Sequence, residues 1–413
     1  KKNKGKFDYI VCHGVFSWVP DVVRDKILEL CEQCLTPNGL AIVSYNTLPG
    51  WNAVRSLREM MLFHTNRFNT PQEKIVQAKA LLNFLADNVP EGRTGYKAVI
   101  EEERKMLANT NDSYIFHDHL EHTNKQFYFN EFMQMAAKNN LAYVGDTALT
   151  SMFVGNMPKG ALEALQAVND IVSQEQYMDF ITNRRFRNSI LCKKENVIKR
   201  SLDENQIFDY YLAPQMKPEE GKTKPPMNFV SGNGGAFTAN DEVAVTLYRT
   251  LCEQGNRPIH AEELVKKACA ALPGSNLEAF RTTLKQSGIK LALHGYIALI
   301  ADEAHAVTTI SKKPEVFAWA RYQAAQPGNK NVTNMIHAIV NSDIAGNMIM
   351  ALLDGTRTQE QVVDAMVVNV KNGLLTVRQG ETPVTDDAAI KTHMTAIVSQ
   401  LLEKLAQQNL LAA

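Results

Sequence analysis

Long hydrophobic runs are missing from this sequence. No apolar stretch in its 413 residues approaches the roughly 20 residues of a membrane span, and no secretory leader pattern is read at Lys1, so no membrane insertion is expected. An excess of charge is missing too. Lys+Arg 44 balances Asp+Glu 44, which leaves no global field to favour nucleic acid or anionic lipid. Cysteine is sparse: the 6 cysteines are scattered along a long chain, which argues against a disulfide framework and for reduced thiols in a cytoplasm. Only Cys31 and Cys34 have C-x-x-C spacing, on an amphipathic helix with no second ligand pair nearby, so they are expected as buried helix-face thiols and not as a metal site. No G-x-G-x-G occurs anywhere, and the stretch GNGG at 232–235 has the wrong context for a phosphate-binding turn. Internal repeats and low-complexity tracts are absent.

What is present is a globular composition, 45% hydrophobic and 21% charged, with material for two to three domains. Phe7–Cys12 (FDYIVC) is an apolar, β-rich run with the pattern of a strand buried on both faces. It follows Lys-Lys-Asn-Lys-Gly-Lys without an initiator methionine, and this abrupt start predicts that the chain begins late in its first domain. Asp21 is a candidate N-cap for a helix to about Leu35, Thr36–Gly39 (TPNG) reads as a turn, and Gly39–Asn46 as a second buried strand. Strand, helix, turn and strand make a βαβ unit, hence a parallel sheet. Ligands in such sheets sit beyond the carboxyl ends of the strands, here the segments Cys12–Trp18 and Tyr45–Trp51.

Helical spacing then dominates from Trp51 to about Leu107, with Thr70-Pro-Gln-Glu73 as a helix start. A helix at Phe129–Ala137 is ended by Asn139-Asn140. Leu141–Gly145 and Phe186–Lys193 return to strand character and are expected to close the sheet edge. Pro214–Pro226 (PQMKPEEGKTKPP) is the clearest linker by composition. Beyond it, three helical segments and a hairpin turning at Gly295 suggest a winged helix. Its charges are interleaved, with Glu262, Glu263 and Glu278 among Lys266, Lys267, Arg281 and Lys285, which argues against phosphate contact. More helix follows, with a turn at Leu352–Thr356 and a closing helix from Asp386 to Leu411.

With these segments placed, the chain resembles class I methyltransferases that carry a methyltransferase regulatory domain, a group that includes bacterial and rickettsial protein-lysine methyltransferases. The matching stretches are FDYIVCHGVFSWVP from Phe7, LTPNGLAIVSYNTLPGW from Leu35, REMMLFHT from Arg58, HDHLE from His117, FYFNEF from Phe127 and RRFRNSILC from Arg184. The resemblance implies an α/β fold: the carboxy-terminal part of a Rossmann-like class I methyltransferase sheet with a helical insert, followed by a mainly α, winged-helix-like carboxy-terminal region. It makes residues 1–50 strands four and five, 51–125 the regulatory insert and 126–213 the remaining elements, with antiparallel strands six and seven. A linker at 214–228, a winged helix at 229–302 and a helical domain at 303–413 complete the expected layout. The family's glycine-rich turn after strand one, and its acidic residue after strand two, have no counterpart here, so the S-adenosyl-L-methionine (AdoMet) site is expected to be incomplete in this chain.

By the same resemblance the activity is AdoMet-dependent methyl transfer to a protein lysine amine, which requires alignment of nucleophile and methyl group and removal of a proton. Cys12, His13, Gly14 and Val15 are the candidates for cofactor contact. Phe16, Trp18 and Trp51 are candidates for the substrate channel, and Tyr45 and Asn46 for orienting the amine. His117-x-His119-x-x-His122 has a metal-like look but no fourth ligand, and no metal is assigned to it. Arg184, Arg185 and Arg187 are read as a structural or solvated edge. The expected partner is a protein substrate, with no nucleic acid and with a homodimer as the assembly to test for. The competing reading is a winged-helix binding or regulatory protein whose methyltransferase-like domain does no chemistry.

Overall fold

A computed structural model describes residues 3–412 except 233, 256, 304–305, 308 and 380–381; Asn233 of the GNGG stretch therefore lies outside the described residues. The chain forms two compact units, residues 1–201 and 202–413.

The first unit is built on a four-stranded sheet. β1 (Phe7–Cys12) runs parallel to β2 (Leu35–Asn46), and α1 (Asp21–Cys34) makes the crossover. The residues read as a turn, Thr36–Gly39, lie inside β2, where the pairing with β1 is irregular. Gly39 is required there: a Cβ would sit 2.9 Å from the Phe7 carbonyl oxygen. Asp21 is not the N-cap of α1. Pro20 takes that place, and the Asp21 carboxylate instead accepts from Arg24 and Lys125. Cys31 is buried and its thiol is pushed up to about 12 by that burial, while Cys34 is half-buried.

Four helices follow: α2 (Trp51–Thr65), α3 (Pro71–Asn88), α4 (Thr94–Ala108) and α5 (Asp112–Leu120). They share a core that includes Leu57, Met61, Leu82, Ile100, Leu107 and Ile115. The Thr70–Glu73 capping box starts α3, as its spacing predicts. Next come α6 (Phe129–Lys138), β3 (Leu141–Asp146), the short α7 (Leu149–Met152), α8 (Lys159–Gln166), α9 (Ile171–Thr182) and β4 (Phe186–Lys193).

Sheet order is β1-β2-β4-β3. β4 inserts antiparallel between β2 and β3, so of the two strands expected to be antiparallel only β4 is reversed; β3 points the same way as β2. A second departure concerns β1. Its hydrogen-bonded neighbour is β2 alone, and Tyr9 and Val11 are 71% and 64% exposed, so a run read as buried on both faces forms an edge among the described residues.

Arg187 locks the reversed strand in place. Its side chain is fully buried; Nε and Nη2 donate to the two carboxylate oxygens of Asp179, each at 2.8 Å, and Nη1 donates to Glu175 at 2.8 Å. Its guanidinium carbon lies 3.9 Å from the Phe129 ring centre. Arg184 lies 3.5 Å from both Asp146 and Asp179. Two of the three arginines of that run are thus structural.

In the second unit the stretch read as a linker is strand only at its two ends, and residues 219–226 between them are turn and bend. β5 (Tyr211–Pro214) pairs with β9 (Ile259–His260) and β10 (Ile297–Ile300), whereas β6 (Met216–Pro218), β7 (Met227–Ser231) and β8 (Ala236–Ala239) form a meander. Met216 and Met227 are buried and anchor the strands on either side of the turn at 219–226, which carries Pro225, Pro226 and most of the charges of that stretch. α10 (Glu242–Glu253), α11 (Ala261–Ala271) and α12 (Leu277–Leu293) accompany them. The expected hairpin at Gly295 is instead the end of α12 followed by β10, which pairs with β5. A separate core, including Val316, Ile349, Leu353, Met366, Val398 and Leu402, joins α13 (Ala318–Ala324), β11 (Asn331–Thr333), β12 (Ile339–Asn341), α14 (Ile344–Leu352), α15 (Gln359–Lys371) and α16 (Asp387–Gln407). A small ribbon, β13 (Arg378–Gln379) with β14 (Thr382–Pro383), precedes α16. No helix among the described residues is long and apolar enough to cross a membrane.

Candidate active site

Beyond the carboxyl ends of β1 and β2 the chain encloses a cavity of about 410 Å³. From the strand ends, His13, Gly14, Trp18 and Asn46 line it; Trp51 enters from the start of α2. Glu103 of α4 and Tyr114, His117 and Asp118 of α5 face them, and Arg185 and Phe186 complete the wall.

The loop after β1 is pinned at consecutive residues. Gly14, at φ +70°, donates its backbone N–H to Ser44 Oγ at 2.8 Å. A ring nitrogen of His13, Nδ1, lies 3.2 Å from Asn188 Oδ1, and the ring meets Phe186 edge-on at 5.9 Å. A single 3₁₀ turn, Phe16–Trp18, then sends neighbouring side chains opposite ways. Phe16 goes into the core, 5.4 Å from Phe132 and 5.5 Å from Phe127. Ser17 Oγ accepts the Asn46 backbone N–H at 2.9 Å, tying the turn to the end of β2. Trp18 turns to the cavity, where it meets Trp51 edge-on at 6.4 Å and lies 4.4 Å from the tilted His117 ring.

Of the residues picked out from the sequence, His13, Gly14, Trp18, Asn46 and Trp51 come together in this cavity. Four do not line it. Tyr45 is buried on the other face of β2, stacked on Phe132 at 4.0 Å with its hydroxyl 2.9 Å from Ser189 Oγ, and burial raises its phenol. The cause is strand alternation: Ser44 and Asn46 share one face, so Tyr45 takes the other. Phe16 is a core aromatic for the reason just given. Cys12 is half-buried at the end of β1, its thiol raised by burial, and Val15 is exposed.

Of the histidine run, His117 reaches the Trp18 ring, while His119 is buried with Nε2 2.6 Å from Glu103 Oε1. Among the described residues no group of three or more His, Cys, Asp or Glu is placed to hold a metal. Tyr114 hydrogen-bonds Asp118, and burial together with that carboxylate raises its phenol. Sequence reasoning missed Ser44, Glu103, Tyr114, Asp118 and Asn188. Only Ser44, a polar residue at the end of the apolar run LAIV at 40–43, carried a local signal.

Parallel strands with one reversed strand inserted, and a cavity at their carboxyl ends, define a class I methyltransferase fold. Comparison with known proteins places the chain more closely. Residues 111–193 match the family described as "Predicted methyltransferase regulatory domain", and residues 312–410 match "PKMT, C-terminal winged helix domain". The first match thus runs from α5 to β4, where the helices from residue 51 were expected to form the insert, and the second falls later than the winged helix expected at 229–302.

The uncharacterized protein RP789 of Rickettsia prowazekii is 36% identical over 98% of this chain and 75% of its own length. The structure of PKMT2 from Rickettsia typhi superimposes with a TM-score of 0.87 at 36% identity, covering 99% of this chain and 82% of that one. PKMT2 in complex with AdoHcy gives the same TM-score and identity over 81% of its chain. The chain belongs to the PKMT family that these rickettsial proteins represent.

Proposed function

We propose that the protein is an AdoMet-dependent methyltransferase that methylates a lysine amine of a protein substrate in the cavity beside Trp18. The observation that carries this reading is the make-up of the wall: Trp18, Trp51 and His117 present rings, and Glu103 and Asp118 present carboxylates. Aromatic faces attract ammonium groups within about 6 Å of the ring centre, so this wall suits a lysine side chain: apolar stem against the rings, charged head near Asp118. The PKMT2 complex with AdoHcy supports a nucleoside methyl donor.

The residues present fit the reacting end of such a donor, because a cationic sulfonium is served by the same rings and carboxylates. When bound, AdoMet supplies an electrophilic methyl group. The protein's own residues do the rest: Trp18 and Trp51 hold the lysine stem, Asn46 borders its head, and Gly14 leaves open space where a side chain would stand. Orienting nucleophile and electrophile within such a site is worth several kcal/mol of barrier, roughly 7–11 at best.

The test is to incubate the protein with methyl-labelled AdoMet and a lysine-containing protein, then identify the labelled residue by mass spectrometry. Label on lysine side chains, with stoichiometric AdoHcy, is expected. Label on another residue type, or AdoHcy release without protein labelling, overturns the substrate assignment.

A further inference from the structure

A lysine is an ammonium ion near neutral pH, and its nitrogen has no lone pair to attack with until a proton leaves. The cavity holds several groups that accept protons, but most are engaged. Glu103 is buried against His119. Asp118 is hydrogen-bonded to Tyr114, whose own phenol is held protonated. His117 packs against the Trp18 ring, but no described residue hydrogen-bonds its ring to set a tautomer. His13 differs. It is exposed at the cavity, and its Nδ1 lies 3.2 Å from Asn188 Oδ1.

An amide oxygen can only accept, so that contact requires the proton of the neutral imidazole on Nδ1. Nε2 then carries the lone pair, and no described residue forms a hydrogen bond to it. The backbone that carries Asn188 is fixed. The residue sits in β4 opposite Ser44, and its backbone N–H donates to Asp146 Oδ2 at 3.2 Å.

We infer that His13 is the proton acceptor for the substrate amine and that Asn188 is the positioning residue that selects its tautomer. This rests on the amine-methylation reading above. The ammonium N–H bond breaks and an Nε2–H bond forms; the amine becomes neutral with its lone pair free, and His13 becomes an imidazolium that passes the proton to water at its exposed edge.

The experiment is nitrogen-15 NMR of the histidine rings in the full chain, with the His13 signal assigned by His13→Gln and read where the ring is neutral. This needs no methyl donor. The wild type is expected to hold the proton on Nδ1, and Asn188→Leu to move it to Nε2 with an unchanged melting temperature. In methyl transfer, His13→Ala is expected to lose about 10²–10⁴-fold in kcat with little change in KM. Imidazole is expected to restore part of that loss, and pyrrole, of similar shape but not basic, none. A wild-type proton on Nε2, or full turnover by His13→Ala, overturns the inference while leaving the methyltransferase reading intact. Absence of lysine methylation by the wild type overturns that reading and the base role with it, whatever the tautomer.

Discussion

Ser44 and Asn188 face each other across β2 and β4, and each holds one of two consecutive loop residues: Ser44 the backbone of Gly14, Asn188 the ring of His13. The loop that begins the candidate site is therefore set by the reversed strand as much as by the strand that feeds it. Ser44→Ala removes a buried acceptor and leaves the Gly14 N–H without its partner. A loss of about 1 kcal/mol is expected from denaturant unfolding. Turnover is expected to fall further than stability does. Equal, small effects on both would mean that this hydrogen bond does not position the loop.

Arg187 supplies the corresponding anchor beneath the sheet. Removing it strands Asp179 and Glu175 as buried carboxylates, the situation in which breaking a buried ion pair costs about 3–5 kcal/mol. Arg187→Met is expected to lower the midpoint of chemical denaturation by a corresponding amount. A change below about 1 kcal/mol would show that water reaches these carboxylates.

Asp21 gives a pH signature. Hydrogen bonds from Lys125 and Arg24 hold its carboxyl at about 2, below the usual value of about 3.9. A carboxyl depressed on folding favours the folded state above the unfolded-state value, and that contribution disappears as the pH falls from about 4 towards 2. Asp21→Asn is expected to be less stable than wild type at pH 7 and to converge with it near pH 2. A stability gap that stays constant across that range would rule out the carboxylate as its source.

These relationships show what was legible beforehand. The βαβ unit, the Thr70–Glu73 cap and the convergence of His13, Trp18 and Trp51 follow from local pattern, because strand ends and helix starts announce themselves within a few residues. The pairing of Ser44 with Asn188 spans the whole helical cluster and was not readable. Asp118 and Tyr114 reach the cavity through the packing of α5, which no local spacing encodes. Tyr45 was misplaced for a simpler reason: period-two alternation forbids it and Asn46 from sharing a face. The proline-rich stretch was legible only in part: residues 219–226 are irregular as their composition reads, whereas burial of Met216 and Met227 makes its ends strand.

The central claim, methyl transfer in the cavity beside Trp18, is tested most directly by comparing Trp18→Ala with Tyr45→Phe in labelled-AdoMet turnover, with melting temperatures measured alongside. Trp18 lies in the cavity wall, and misplacing a reacting group by about 1 Å costs roughly a hundredfold in rate. Trp18→Ala is therefore expected to lose on the order of a hundredfold in turnover with a modest change in stability. Tyr45→Phe loses only the buried hydrogen bond to Ser189 and is expected to keep its turnover at a stability cost of about 1 kcal/mol. Wild-type turnover in Trp18→Ala, or a loss confined to Tyr45→Phe, would contradict the assignment of this cavity as the site of methyl transfer.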